Sequence, residues 1–590
     1  MGVLRKLLIV AAALVLAAAG WLWWNRVVKV DMAAYVPGDS LVYVEANDLP
    51  RVLNGLTSTA AWRELAPAGR VRTDYERAVK LGGFAAATGI GPGDWVVLAR
   101  AQLAVAVLGF DAAAEPDATL KFKPRVALVA ETHTSEWRVR GVAEKLVGDF
   151  ARRSFNARDV KRGETDGAHF LTWSDPNGSR RSLVAAVSGS VLVIGNDEAA
   201  VRSCLAVRRG ERPSLAGNEQ LKLMRERLGA GESLAFGFAP AGSPAKIVEV
   251  FAPAFVPGFS PDQRMQSSMA TFLPQLANRV VGDLGWSSHA AGGAVEDRYF
   301  ISLPEGMGVR LSGPFTPHPN RDFGAGAYLP LETYQVSRYS FLDPAVTWRG
   351  LNAALSSRLS VFQATSITFL LEALIEPYGV NDPPEFFKAA GSEVVTASLD
   401  RTSENKVFIV SVRQRASLLA QVRDVLGASP RSEKLGGEEL LISNDDDGRA
   451  AFVSGDYLLM GAEEDVRRCL SARAAGRTLK DARSFPPSSS NLFPETPFVT
   501  SVAADEEHAR AVVDHVAGKR GTHPSGAPGP EPSPFTYSLS QTRLTPEGFE
   551  KKTRSSFGLI GELIERLSHT GEGTPTGSGQ ARYVEGKQTP

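Results

Sequence analysis

Cysteine is almost absent from this chain, since only two cysteines occur among 590 residues. Two thiols are too few for a disulfide scaffold or a structural zinc cluster. Excess charge of either sign is also missing, because 65 lysines and arginines balance 65 aspartates and glutamates. The protein therefore has no overall field that would attract nucleic acid, and we expect no nucleic-acid partner.

Catalytic and cofactor motifs are missing as well. The sequence contains no G-x-S-x-G elbow, no Walker loop and no dinucleotide-binding fingerprint. Ser243 to Lys246 fit S-x-x-K, but a match at two fixed positions is expected by chance in a chain of this length. His508 and His515 lie seven residues apart and lack the i,i+4 spacing of a metal-binding helix. The sequence therefore assigns no catalytic residue, no metal ligand and no cofactor.

One long apolar run is present, near the N-terminus. Leu7 to Trp24 contain no charged residue, and about 17 to 25 apolar residues span a bilayer. Ala17 to Ala19 also fit a signal-peptide cleavage site, so an anchor and a cleaved signal remain open for residues 1–30. We favour the anchor, in a single-pass inner-membrane protein whose bulk is periplasmic or otherwise extracytoplasmic. A later apolar run, Ser366 to Leu374, is too short to span and predicts a buried helix.

A stretch of the sequence occurs twice. Val187 to Leu205 read VSGSVLVIGNDEAAVRSCL, and Val453 to Leu470 read VSGDYLLMGAEEDVRRCL. Each copy predicts a turn, a short apolar strand that contains a glycine at its end, and a helix that carries V-R-x-C-L. The same order of strands, helices and turns extends over most of the chain, which indicates an internal duplication.

The openings of the two copies also match. Tyr35 to Leu53 and Tyr328 to Val346 each predict a strand followed by a helix. Asp48 and Asp343 precede prolines at the predicted helix starts, where aspartate caps free amides and proline loses no hydrogen bond. Both copies therefore predict the same local structure from different residues.

The pattern of strands predicts the fold class. Most predicted strands are joined by hairpins, which favours an α+β fold over the alternative, a doubly wound parallel sheet. We predict two tandem related modules after an N-terminal transmembrane helix, each a largely antiparallel sheet with helices packed on one face. The predicted domains are an anchor or signal segment 1–30, a first module 31–325, a second module 326–569 with a disordered loop 518–534, and a disordered tail 570–590.

The two cysteines occupy matching places in the repeated helices. Cys204 and Cys469 each lie at helical spacing from a valine and a leucine, on an apolar face. We favour paired core thiols, because free cysteine packs as a small apolar residue. A disulfide between the two modules is the alternative, which an oxidising compartment would permit.

The same helices repeat their arginines. Arginine at a helix C-terminus stabilises the helix dipole by about 0.3–1 kcal/mol, and we favour this role. The alternative is an anion-binding site for phospholipid headgroups, because a guanidinium can bind phosphate through two hydrogen bonds. The residues are Arg202, Arg208 and Arg212 in the first copy and Arg467, Arg473 and Arg477 in the second.

The stretches Tyr35 to Leu53 and Val187 to Leu205 resemble an uncharacterised family of exported bacterial envelope proteins. Members are classed as a domain of unknown function and begin with a signal or anchor. The resemblance covers most of residues 35–315 and, more loosely, the second copy. It implies an envelope location and supplies neither an activity nor site residues.

Together these observations predict a membrane-anchored extracytoplasmic protein that binds or scaffolds a partner without catalysing a reaction. The partner would be an envelope protein or a lipid. Two alternatives remain: an envelope hydrolase with a site between the modules, and a lipid-binding or carrier protein with an apolar cavity.

Overall fold

The computed structural model of the chain describes residues 28–66, 97, 100–114, 120–157, 159–176, 182–255, 263–319, 322–357, 359, 361–401, 406–427, 429–435, 438–444, 448–481, 491–516 and 537–569. The predicted loop 518–534 and tail 570–590 lie outside these residues, as does the predicted anchor except for its last three residues. Among the helices that are described, none combines the length and the apolar character needed to cross a bilayer.

Twenty β-strands are described, and every pairing between them is antiparallel. The first ten are β1 (Val42–Ala46), β2 (Gln102–Ala114), β3 (Leu120–Glu131), β4 (Val160–Thr165), β5 (Ala168–Ser174), β6 (Ser182–Ser188), β7 (Val191–Gly195), β8 (Ala235–Ala239), β9 (Leu284–Ala291) and β10 (Ala294–Ser302). The second ten are β11 (Gln335–Ser340), β12 (Ala390–Ser398), β13 (Val407–Val412), β14 (Arg431–Leu435), β15 (Glu438–Ile442), β16 (Arg449–Val453), β17 (Tyr457–Ala462), β18 (Val499–Ala504), β19 (Tyr537–Thr545) and β20 (Gly548–Ser555). We call residues 28–319 the first half and residues 322–569 the second half.

The strands form one continuous sheet in which the two halves meet at β10 and β20. Its order is β4-β5-β6-β7-β3-β2-β1-β8-β9-β10-β20-β19-β18-β11-β12-β13-β17-β16-β15-β14. Read outward from the β10–β20 pair, each strand of the second half is numbered ten higher than its counterpart in the first. The two sides of the sheet therefore follow the same connectivity, and the predicted antiparallel α+β class is confirmed.

Fifteen α-helices are described around this sheet. Those of the first half are α1 (Leu49–Thr57), α2 (Ala60–Leu65), α3 (Glu136–Phe155), α4 (Glu198–Arg208), α5 (Glu219–Leu228), α6 (Ser243–Phe255), α7 (Gln263–Val280) and α8 (Met307–Ser312). Those of the second half are α9 (Pro344–Ser356), α10 (Val361–Ile375), α11 (Pro383–Ala389), α12 (Arg415–Val425), α13 (Glu463–Ala474), α14 (Glu506–Val516) and α15 (Gly558–His569). Short 3-10 helices lie at Met32–Tyr35, Leu215–Gly217, Ala230–Glu232, Gly324–Ala327, Glu376–Tyr378 and Leu479–Asp481.

Helices cover both faces of each side of the sheet, so the prediction of helices on one face is wrong. In β6, Val184 and Ala186 pack in one cluster with α4, whereas Ala185 and Val187 pack in another with α3. In the second half, β16 lies in the same way between α13 and α12. The sequence indicates this arrangement through the unbroken apolar runs of these strands. Alternate residues of a strand point to opposite faces, so a strand that is apolar throughout is buried on both faces. We call the α4 and α13 side the front face and the other side the back face.

The back face at the junction contains helices from both halves. A hydrophobic cluster there combines Leu56 of α1 and Ala61 of α2 with Val512 of α14. Asp297 of β10 is buried beneath α15, and its carboxylate accepts hydrogen bonds from the backbone amide of Leu559 at 2.8 Å and from Trp286 Nε1 at 3.0 Å. The first half thus caps the first turn of a helix of the second half.

Candidate functional site

The two cysteines lie in separate cores. Cys204 of α4 and Cys469 of α13 are both buried free thiols, one in the front-face cluster of each half. They do not form the disulfide that the sequence left open. Burial raises the pKa of each thiol to about 12. Both sulfurs therefore remain protonated at neutral pH, as expected of core side chains.

The native thiols are expected to resist alkylation. At pH 8, iodoacetamide should modify Cys204 and Cys469 on the order of a thousandfold more slowly than an exposed cysteine, because the thiolate fraction is that much smaller. Mass spectrometry of tryptic peptides measures both rates, and the urea-unfolded chain is the control in which both thiols should react. Rapid labelling of either thiol in the folded chain would contradict its burial.

Most of the six repeated arginines are engaged by groups of the protein itself. Arg202 and Arg467 each pair with the glutamate one helical turn before them, at 2.6 Å and 2.8 Å. Arg208 donates to the backbone carbonyl of Ser188. Arg473 lies 4.4 Å from the centre of the Tyr328 ring. Of these four, Arg208 and Arg473 lie in the last turn of their helices, so the favoured role at a helix C-terminus stays a prediction for them and does not apply to Arg202 and Arg467.

Arg212 and Arg477 complete the set. Arg212 Nη2 lies 2.6 Å from Asp39 Oδ2, and Arg212 Nη1 lies 3.2 Å from Ser203 Oγ. For Arg477, the backbone carbonyl accepts a hydrogen bond from the Leu331 amide at 3.3 Å. The Arg477 side chain is exposed, and the anion-binding alternative stays a prediction for it.

A shallow pocket of about 280 Å³ lies beside α4 and brings two of the predicted arginines together. Its walls include Arg202 and Arg212, with Arg209 beside them and Phe170 at its apolar side. Each arginine already pairs with a carboxylate, and a further carboxylate, that of Asp166, lines the pocket. Each of the three guanidinium groups thus has a carboxylate partner of its own, so the pocket offers an anion no unpaired cation.

One serine–histidine contact has the geometry of a nucleophile and its base. Ser287 Oγ lies 2.9 Å from His289 Nε2, but both atoms also lie within 3.0 Å of the backbone oxygen of Leu228 at the end of α5. Ser287 is 0% exposed. The pair therefore caps the helix C-terminus, and a substrate has no path to the hydroxyl group.

Metal-binding groups do not converge in the described part of the chain. No three side chains of histidine, cysteine, aspartate or glutamate are grouped there to hold an ion. His508 pairs instead with Glu565, its Nδ1 lying 2.6 Å from Oε2.

The centre of the front face is polar, although the same face is apolar toward both edges of the sheet. A row of residues that are paired across successive strands on this face changes from apolar to polar and back to apolar. It runs Ala186, Val193, Val129, Ala104, Glu45, Phe236, Ser287, Arg298, Lys552, Gln541, Thr500, Arg338, Val395, Ile409, Leu459 and Phe452. Its two apolar ends lie in the front-face cores of the two halves.

The charged centre of this face is formed by one strand from each half. We call the front-face side chains Glu296, Arg298, Glu550, Lys552 and Arg554 of β10 and β20 the central strip. Arg298 lies directly opposite Lys552, and Glu296 lies opposite Arg554. The strip is open to solvent at its arginines, because the Arg298 and Arg554 side chains are 38% and 50% exposed.

Electrostatics within the central strip favour an ionised carboxylate. Burial raises the pKa of Glu296, but the hydrogen bond from Arg298 and the charges of Arg298, Lys552 and Arg554 outweigh it, so the pKa is lowered. The pKa of the Lys552 ammonium is lowered, chiefly by burial and further by Arg298 and Arg543, although Glu296 opposes the change. Positive groups are thus crowded around one buried carboxylate.

The sequence carries a weak signal for this strip. Glu296 and Arg298 in EDRYF, and Glu550, Lys552 and Arg554 in EKKTR, are charged residues spaced two apart, although Asp297 and Lys551 between them are charged as well. Residues two apart on a strand share a face, so each set is predicted to lie on one face of its strand. What the sequence does not indicate is that these two strands, more than 240 residues apart, pair with each other.

No protein-family profile, curated protein or solved structure matches the chain.

Proposed function

We propose that the chain is a duplicated binding scaffold: two related modules fused edge to edge, in the envelope family that the sequence resembles. The same strand order on both sides of the β10–β20 pair supports this proposal. Two matched details support it further. Asp48 caps α1 and Asp343 caps α9, and the two buried cysteines lie in equivalent helices.

The scaffold would bind a partner without catalysis, outside the cytoplasm, and would be held to the inner membrane by the apolar segment Leu7 to Trp24. One observation carries the binding role. The sheet edges of the two halves pair with each other at β10 and β20. The central strip, which is charged and open to solvent, lies at this junction and is formed by side chains of both halves. A surface that neither half could form alone suits a protein whose task is to bind an envelope protein or lipid.

The two alternatives lack a comparable observation. A hydrolase would need a reachable nucleophile, and Ser287 is fully buried beneath a helix end. A lipid carrier would need an apolar cavity, whereas the 280 Å³ pocket is lined by three arginines and an aspartate.

The proposal is tested by site-specific crosslinking of the full chain in a bacterial envelope. A photoreactive amino acid at Arg554 should give a discrete protein or lipid adduct. The matched control is the same amino acid at Lys551, which points to the back face. Adducts at neither position, or equal adducts at both, would count against a front-face binding role.

Location is tested in the same cells. The full chain should fractionate with the membrane and be cut by protease added from the periplasmic side, whereas a chain lacking residues 1–30 should remain in the cytoplasm. Protection of the full chain from the protease would contradict an extracytoplasmic scaffold.

A further inference from the structure

We propose that the central strip is a binding site for an oxyanion of the phosphate type, held by Arg298, Lys552 and Arg554. The inference rests on the proposed binding role and gives it a class of ligand. The phosphate group could belong to a free anion or to a lipid headgroup, and the chemistry of recognition would be the same.

The register of the two strands places the three cationic side chains close together. Arg298 and Lys552 lie directly opposite each other on neighbouring strands, so their Cβ atoms are roughly 5 Å apart. Arg554 lies two residues along the same strand face, a diagonal separation of roughly 7–8 Å from Arg298. Three long cationic side chains can therefore converge on one tetrahedral anion.

These three cations have too few carboxylate partners. Arg298 donates from Nε to Glu296 at 3.0 Å, and Arg554 donates from Nη2 to the same carboxylate at 3.4 Å. Lys552 donates from Nζ to the backbone carbonyl of Leu492 at 3.1 Å and lies over the Phe493 ring. Within the described chain, Glu296 is the one acidic side chain that pairs with either arginine of this trio.

Neighbouring charges do not remove the excess. Glu550, the other carboxylate of the strip, is shared by Arg227 and Arg543, at 3.2 Å and 2.6 Å. The next carboxylates, Glu547 and Glu495, are more than half exposed at the rim, where water screens them.

The pairing of two cations across the junction costs free energy. Like charges directly opposite on neighbouring strands destabilise a sheet, yet Arg298 faces Lys552 at the place where the two halves join. A bound oxyanion would offset this repulsion and accept the remaining guanidinium hydrogen bonds. The pocket beside α4 has the opposite balance, since each of its arginines already has a carboxylate.

Isothermal titration calorimetry of the purified full chain in a non-ionic detergent tests the inference. The probes are inorganic phosphate and, for the headgroup source, dihexanoyl phosphatidylglycerol, with dihexanoyl phosphatidylcholine as the neutral-headgroup control. We expect a Kd near or below about 1 mM for phosphate or for the glycerol lipid, and much weaker binding of the choline lipid. Tighter binding of the lipid would identify a headgroup, and tighter binding of phosphate a free anion.

Variants locate the site. Arg554→Gln and Lys552→Gln should each weaken binding roughly tenfold, whereas Lys551→Gln, the same change one residue away on the back face, should leave it unaltered. Glu296→Gln removes the internal competitor and should strengthen binding roughly tenfold. This gain cannot arise from a variant that merely fails to fold, and melting curves with phosphate against chloride at equal ionic strength check folding in parallel.

Absence of binding by the wild-type chain, or equal loss in Lys551→Gln and Lys552→Gln, would overturn the inference. Loss of affinity in Glu296→Gln would overturn it as well. The binding role itself would survive each of these results if Arg554 still crosslinked to an envelope partner, so the two failures are distinguishable.

Discussion

Replacing Asp297 by alanine is expected to lower the free energy of unfolding by about 3 kcal/mol. The carboxylate is 1% exposed and serves two donors, the Leu559 amide at the start of α15 and the Trp286 indole N–H. Alanine removes a helix cap, worth about 1 kcal/mol, and strands a buried indole donor, which costs about 1–3 kcal/mol. Because Asp297 belongs to the first half and Leu559 to the second, the loss also loosens the junction.

Urea denaturation and hydrogen exchange measure this effect separately. The exchange of α15 amides should rise more than that of β6, which lies far from the junction. Asp48→Ala is the matched control, because Asp48 caps α1 at the surface through the Arg51 amide at 2.9 Å. It should cost about 1 kcal/mol and leave α15 unchanged. If both variants lowered the free energy of unfolding equally, Asp297 would not stabilise the junction beyond the effect of an ordinary helix cap.

Replacing Arg225 by leucine should cost about 3–5 kcal/mol. Its guanidinium makes two hydrogen bonds to the buried carboxylate of Glu45, at 2.9 Å and 3.0 Å, and two more to Asp31. Without the arginine, Glu45 keeps the hydroxyl group of Tyr43 at 2.8 Å as its partner, so a buried charge loses its counter-charge. An uncompensated buried charge is among the most destabilising changes in a protein core.

A second substitution separates charge from packing. Glu45→Gln in the Arg225→Leu background removes the stranded charge, keeps an acceptor for Tyr43, and should recover about 2 kcal/mol. Arg212→Leu is the control, because its partner Asp39 is mostly exposed, and it should cost less than about 1 kcal/mol. If the double variant were less stable than Arg225→Leu, the destabilisation would have to come from lost packing.

Asp31 adds a pH dependence to the same network. Burial raises its pKa, but the hydrogen bond and charge of Arg225 outweigh burial, so the pKa is lowered from 3.8. The stability that this shift contributes is complete above the unfolded value of 3.8 and is lost as pH falls through the lower folded value. As the pH falls from 3.8 through the lower folded pKa, the free energy of unfolding of Arg225→Leu should therefore decrease less steeply than that of the wild type. Acid unfolding curves of the two proteins measure the difference.

Local signals in the sequence predict local structure well. Asp48 and Asp343 accept the backbone hydrogen bonds expected of helix caps. The repeated V-R-x-C-L segments form equivalent helices with buried thiols. Each of these features depends on residues within a few positions of one another, so the chain specifies them before any tertiary contact forms.

Predictions that depend on distant contacts succeed less often. The apolar run Ser366 to Leu374 forms a helix in α10 as predicted, but the helix is buried on one side only, since Ile367 is 1% exposed whereas Phe369 is 59% exposed. The burial of a helix is decided by its neighbours, which hydropathy alone does not identify. The helices on the second face of the sheet and the pairing of Arg298 with Lys552 were also not predicted. Both features depend on contacts between elements that are distant in the sequence.

A designed disulfide across the junction tests most directly whether the two halves share one continuous sheet. Both the duplicated scaffold and the central strip depend on β10 pairing with β20 in the register in which Arg298 lies opposite Lys552. Tyr299 and Lys551 are directly paired, so cysteines at both positions should form a disulfide under mild oxidation while the buried native thiols remain reduced. The control moves one cysteine by a single residue, to Lys552, whose side chain points to the opposite face. Rapid crosslinking of Tyr299→Cys/Lys551→Cys and none of Tyr299→Cys/Lys552→Cys is the predicted result; the reverse pattern, or no crosslink in either, would contradict the continuous sheet.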